Sequence, residues 1–193
     1  MRIGVFGGSF DPPHLGHVAV ATAAQEHANL DLVLFVPAGQ QWQKQHFASA
    51  ELRAHMLSLL IRQHTDWLIN SVDIDRPTAT YTIDTMHDIA SQWPNTELFF
   101  ILGHDAATHL TSWHRSKELA QLVTFLVVDR PGNTTQLPDG FSLDIINVET
   151  PNVSSTEIRT LVAHTQPDDK VKVLTPLVGD DVAQFISLTG LYS

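Results

Sequence analysis

The chain has 193 residues, 43% of them apolar and 17% charged, with a formal net charge of −10 and no cysteine. That length and composition suit one globular domain spanning residues 1–193, and they exclude a disordered or fibrous chain. The acidic balance argues against a nucleic-acid partner, the missing cysteines exclude disulfides and thiolate metal sites, and no apolar run approaches membrane-spanning length.

Ile3 to Phe6 is a short apolar run and reads as a buried first strand. Gly7-Gly8-Ser9-Phe10-Asp11-Pro12-Pro13-His14-Leu15-Gly16-His17 follows, and Val18 to Ala28, rich in Ala, reads as a helix. The two histidines therefore fall where a strand turns into a helix, the edge at which open α/β sheets bind ligands. Gly7 and Gly8 allow the backbone to approach a ligand, and Pro12 and Pro13 stiffen the loop. His14 and His17 share one face of a first helical turn. The free N–H groups of such a turn attract anions, so two imidazole donors beside it can hold a polyphosphate. A lone histidine at a helix start is usually a cap or a surface residue. A pair behind a Gly-Gly turn is harder to explain by structure alone. Zinc fits less well, since there is no cysteine and no third ligand at characteristic spacing. The glycines form neither a Walker A loop nor a dinucleotide G-x-G-x-x-G.

Leu32 to Val36 reads as a second strand ended by Pro37, and Ala38 to Ala48 as a polar loop carrying Gly39, Trp42, Lys44 and His46. Ser49 is a candidate N-cap for a helix over Leu52 to His64. Trp67 to Ile74 predicts one or two short strands, and Tyr81 to Gln92 a helix capped by Thr80 or a neighbour. Leu98 to Leu102 predicts a central parallel strand, followed directly by Gly103-His104-Asp105. Leu110 to Leu122 contains helical turns, Val123 to Val128 a buried strand, and Arg130 to Gly140 a surface loop. Ile145 to Val148 is a last strand, with helices expected over Ser155 to Ala163 and Val182 to Leu188. Strands alternating with helices imply an α/β fold, a parallel sheet covered on both faces, with the post-strand loops gathered along one edge.

Several residues on those loops admit two readings. Asp105 either orients ribose hydroxyls or caps the next helix, and Trp113 is by default a packed core residue. Thr78 to Thr85 is good capping chemistry at a helix start. Val153-Ser154-Ser155-Thr156-Glu157-Ile158-Arg159 is either a capped helix or a phosphate cradle. With Ser155 as the cap no capping box forms, and Arg159 suits forked phosphate contacts.

The Gly7 to His17 stretch resembles the H-x-G-H signature of the nucleotidyltransferase superfamily, and in this long form it is most similar to nicotinate-nucleotide adenylyltransferases. Thr80-Tyr81-Thr82-Ile83-Asp84-Thr85 resembles that family's S/T-Y-T-x-D-T motif, and Val153 to Arg159 resembles its I-S-S-T/S-x-I-R motif. The resemblance implies a Rossmann-like nucleotidyltransferase fold. It implies transfer of AMP from ATP to nicotinate mononucleotide, giving deamido-NAD and pyrophosphate without a covalent intermediate, with Mg²⁺ bridging phosphates and few protein ligands. By the same resemblance Gly7, Gly8, Ser9 and Phe10 offer backbone to ATP, and His14 and His17 donate to its phosphates. Lys44 and Arg159 neutralise its far end, and Gly103, Asp105, Ser154, Ser155 and Thr156 complete the nucleotide site. Trp42, Lys44, Thr80, Tyr81, Thr82, Asp105 and Trp113 serve the acceptor, with Trp113 stacked on the pyridine ring. The family usually shows Gly-Ala-Asp where this chain has Gly103-His104-Asp105, and the Lys44 loop lacks the common Pro-Pro-His-Lys form. The alternatives are an adenylyltransferase of the superfamily with another acceptor, phosphopantetheine or nicotinamide mononucleotide, or a non-catalytic nucleotide-binding module. A cytoplasmic location is expected, and a homo-oligomer stays open.

Overall fold

The computed structural model describes residues 1–39, 47–129, 136–148, 151 and 153–193. Trp42 and Lys44, and the first half of the Arg130 to Gly140 loop, lie outside the described residues. The described strands are β1 (Arg2–Gly8), β2 (Leu32–Pro37), β3 (Trp67–Ile69), β4 (Glu97–Gly103), β5 (Thr124–Asp129) and β6 (Leu143–Asn147). They form one parallel sheet in the order β3-β2-β1-β4-β5-β6. The chain winds outward from β1 to β3, then crosses back to start β4 on the other side of β1. The crevice outside the carboxyl ends of β1 and β4 is therefore the switch point, where such sheets bind ligands.

Crossovers run through α1 (Leu15–Ala28), α2 (Ala50–Ile61), α3 (Val72–Asp75), α4 (Thr82–Gln92), α5 (His104–Ala107) and α6 (Ser116–Leu122). Helices α7 (Ser155–His164), α8 (Lys170–Val178) and α9 (Asp180–Thr189) follow β6. Alternate side chains of each strand point to opposite faces, which builds two cores. On one face Ile3, Val5, Leu34, Phe100 and Phe125 pack against Ile83, Met86 and Ile89 of α4. On the other, Phe6, Phe35, Ile101 and Leu126 pack against α1 and α2, and Ala21, Ala24 and Ala28 let α1 lie close to the sheet. A third cluster joins α2 to α7, α8 and α9 through Met56, Ile158, Leu174, Val178 and Ile186.

Two expectations need correction. Only Trp67–Ile69 of the expected strand region is a strand; Val72–Asp75 is a helical turn instead. The β2–β3 ladder reaches Phe35 opposite Ile69, and Asn70 then donates its amide to the Phe35 carbonyl. Further pairing would call on Pro37, which has no N–H to give. The Asn70 side chain meanwhile accepts the Val72 amide at 3.0 Å and turns the chain. Helix α8 has no counterpart in the sequence reading, because Pro176 inside it and Gly179 after it read as breakers. Burial of Leu174 and Val178 outweighs that local preference. Ser49 does cap α2, accepting the Leu52 amide at 3.4 Å.

Ile101 sits in β4 with no exposed surface. Ile101→Ala is expected to cost about 2–5 kcal/mol, read as a lower denaturant midpoint with an unchanged slope.

Candidate active site

Strand β1 ends at Gly8, and six residues later His14 takes extended backbone (φ −149°) as the N-cap of α1. The His14 amide donates to Nδ1 of His17 at 3.1 Å, and the His17 amide donates to the His14 carbonyl at 2.9 Å. The rings stack with centroids 3.7 Å apart and planes 30° from parallel. A ring nitrogen that accepts an N–H carries no proton, so the neutral His17 ring holds its proton on Nε2. Burial holds the His17 pKa well below its ordinary 6.5, and the neighbouring His14 pushes the same way. His17 is therefore a neutral N–H donor at physiological pH.

The glycine between the histidines has a steric cause. A Cβ on Gly16 would stand 2.9 Å from Nδ1 of His14 and 3.3 Å from Cγ1 of Val153. Beneath the pair, the Phe10 ring meets the His17 ring edge-on at 5.0 Å, with Phe6 at 5.6 Å from Phe10. Phe10 is buried and has left-handed backbone (φ 49°), uncommon for a bulky residue and costing on the order of 1–3 kcal/mol. A Cβ on Gly8 would come within 3.0 Å of that ring. Phe10 therefore supports His17 from below, a role beyond the backbone contribution expected of it.

Helix α7 closes the other side. Its N-cap is Ser154, not Ser155: Ser154 Oγ accepts the Glu157 amide at 3.2 Å and donates to the Glu157 carboxylate at 2.8 Å. With the cap one residue earlier, the Glu stands at the third helical position, where a capping partner belongs. Ser155 Oγ donates to the Pro12 carbonyl at 2.8 Å, so this hydroxyl ties α7 to the signature loop. Arg159 donates through Nη1 to the Asp11 carbonyl at 2.6 Å and through Nη2 to Thr156 Oγ1 at 3.0 Å, and its guanidinium lies over the Phe47 ring at 4.5 Å. Arg159, His14 and His17 thus gather on one loop although 142 residues separate the second histidine from the arginine (159 − 17).

A cavity of about 650 Å³ opens beside this cluster, over the carboxyl ends of β1 and β4. Gly7, Gly8, Ser9 and Gly103 border it; Thr80, Tyr81, Thr82 and Thr85 face them from the head of α4, and Trp113 and His114 close the end. Trp113 does two jobs, meeting Phe100 edge-on at 5.9 Å in the core and lining the cavity. The cap of α4 is Tyr81, whose own side chain makes no capping hydrogen bond. Its exposed ring lies 4.3 Å from the His114 ring. Asp105, in α5, is exposed and does not line this cavity. The sequence reading missed Asp73. It is buried on the cavity wall and accepts from Thr85 Oγ1 at 2.6 Å. Burial raises its pKa above the usual 3.8, and the Thr85 hydroxyl opposes that rise. The last threonine of the Thr80 to Thr85 motif is thereby explained, but Asp73 itself sat inside a stretch that reads as strand. His104, the departure from Gly-Ala-Asp, is buried with Nδ1 3.3 Å from the Asp129 carboxylate. Among the described residues no group of three or more His, Asp or Glu could hold a metal ion.

Paired imidazoles at the first strand–helix turn stand beside the crevice where such open sheets bind ligands. The cytidylyltransferase-like family model matches residues 5–161. Curated relatives named nicotinate-nucleotide adenylyltransferase include one from Clavibacter michiganensis subsp. michiganensis, 41% identical over 100% of this chain and 94% of its own. Another, from Corynebacterium kroppenstedtii, is 39% identical over 99% of this chain and 90% of its own. The chain belongs to the nicotinate-nucleotide adenylyltransferase family. Among solved structures, Plasmodium falciparum nicotinic acid mononucleotide adenylyltransferase complexed with NaAD superposes with a TM-score of 0.79 at 19% identity, covering 99% of this chain and 97% of its own, which shows a shared fold.

Gly16→Ala forces the His14 ring aside, and a shift of about 1 Å in a positioned donor is expected to cost about 10² in turnover with the fold retained. Circular dichroism beside initial rates checks both halves. Because folded His17 stays neutral where an unfolded histidine takes up a proton, stability is expected to fall as pH drops below about 6.5. His17→Gln should flatten that slope in denaturant titrations across pH.

Proposed function

We propose that the protein transfers AMP from ATP, supplied as its magnesium chelate, to nicotinate mononucleotide, releasing pyrophosphate and forming deamido-NAD. The observation that carries this reading is the stacked histidine pair at the head of α1, with His17 neutral and its Nε2 left to donate. The acceptor phosphate has a second pKa of about 6 and is mostly dianionic at neutral pH, so one of its oxygens attacks Pα without a general base. The new bond is acceptor oxygen to Pα; the bond that breaks joins Pα to the oxygen leaving with pyrophosphate. The protein's task is to hold two anions in line and to stabilise charge as it moves outward.

His14 and His17 serve as donors to the ATP phosphates, with His17 nearest the transferred group. Arg159, held by Asp11, Thr156 and Phe47, offers charge at the far phosphates; Lys44 is assigned the same end. Gly7, Gly8 and Ser9 lend backbone to the nucleotide, with Gly103, Asp105 and the start of α7 around it. A magnesium ion carried in with ATP would supply charge to the phosphates, and such an ion keeps several of its waters. At the acceptor end, the uncapped turn at Tyr81–Thr82 suits the pyridine carboxylate, and Trp113 suits the pyridine face. Trp42 is assigned to the same subsite. The reading carries with it a cytoplasmic location and requires neither nucleic acid nor membrane.

His17→Ala should lower kcat by about 10²–10³, the usual loss for one charge-stabilising donor, in a pyrophosphate-release assay. The same assay should favour nicotinate over nicotinamide mononucleotide. Turnover with phosphopantetheine and none with either pyridine nucleotide would replace this acceptor with the rival one.

A further inference from the structure

We infer that Arg53, Asp11 and Tyr192, just after α9, are positioning residues of the phosphate site, which hold the left-handed Phe10 turn in the shape that aims the histidines. The inference rests on the adenylyl-transfer reading of that site. Ser9 and Asp11 flank Phe10, and a guanidinium grips the carbonyl of each: Arg53 Nη1 donates to Ser9 at 2.7 Å and Arg159 Nη1 to Asp11 at 2.6 Å. A left-handed bulky residue persists only where its surroundings over-determine it, and these two bonds do so from opposite sides.

Arg53 rises from α2 with 1% of its surface exposed. Besides Ser9 it donates to the carbonyls of Ala38, at 2.6 Å, and Ala48, at 3.3 Å. Three carbonyls in three directions match the fixed fork of a guanidinium, which a lysine ammonium cannot reproduce. Arg53 thus links the end of β2 and the start of α2 to the phosphate loop. The Asp11 carboxylate makes the second link. It accepts the amides of Phe47, at 2.7 Å, and Ala48, at 3.2 Å, and the Tyr192 hydroxyl at 2.7 Å. Burial and donation to Asp11 push the Tyr192 pKa far up, so this hydroxyl stays a donor at every working pH. Tyr192 follows α9 and itself has left-handed backbone (φ 65°). Its hydroxyl ties the segment after α9 to the loop that leads into the two histidines.

The test uses the full chain with Tyr192→Phe and, separately, Arg53→Lys, measuring initial rates with MgATP and nicotinate mononucleotide varied in turn. For Tyr192→Phe the expected result is a fall in kcat/KM for ATP of about tenfold, with the KM for the mononucleotide unchanged and the protein still folded at the assay temperature. Arg53→Lys should lose about a hundredfold with the same split. If Arg53→Lys does not fold, Tyr192→Phe decides. Unchanged ATP kinetics in Tyr192→Phe, or equal rises in KM for both substrates, overturn the inference. If wild-type protein turns over no pyridine mononucleotide, the functional reading fails separately. Calorimetric binding of α,β-methylene-ATP to wild type and Tyr192→Phe then reads the inference alone: weaker binding by the variant supports it, and equal affinity overturns it.

Discussion

One hydrogen bond orients the site, the His14 amide donating to Nδ1 of His17 at 3.1 Å. It satisfies an amide at the start of α1 and selects the tautomer that leaves Nε2 as a donor. A second consequence follows from stacking: two imidazoles 3.7 Å apart cannot both carry charge cheaply, and burial makes His17 the ring that stays neutral. Gly16 exists to let this happen, since any larger residue would displace the His14 ring.

The sheet carries that arrangement to the right place. The reversal of strand order at β1 and β4 opens a crevice, and the first crossover puts the head of α1 beside it. The Ala-rich face of α1 lets the helix lie close to the sheet, which brings His17 over Phe6 and Phe10. From the far side, α7 closes on the loop through Ser155 and Arg159. The proposed nucleotide end thus depends on contacts between distant segments. The proposed acceptor end is built locally, from the head of α4 and the turn carrying Trp113.

Much of this was legible in the sequence because its signals are local. Apolar runs located β1, β2, β4 and β5, and the Gly7 to His17 stretch located the turn at which the two histidines meet. What escaped was tertiary. Nothing in the sequence of Val72–Asp75 says that Pro37 ends the ladder beside it, and Asp73 gains its place on the cavity wall only through Thr85. Ser155 looked like a cap because it opens the helix. Its partner is a carbonyl 143 residues away, and Ser154 does the capping. Arg53 and Tyr192 carry no motif of their own, and only their common neighbours reveal them.

The central claim is that His17 is a neutral ring with its proton on Nε2, directed at a phosphate. Nitrogen-15 NMR of the histidine side chains at neutral pH, with and without a non-hydrolysable MgATP analogue, tests it most directly. The account predicts a bare Nδ1 and a protonated Nε2 for His17 in both states, with the Nε2–H resonance moving downfield on nucleotide binding. A proton on Nδ1, an imidazolium, or a resonance indifferent to the nucleotide would contradict it.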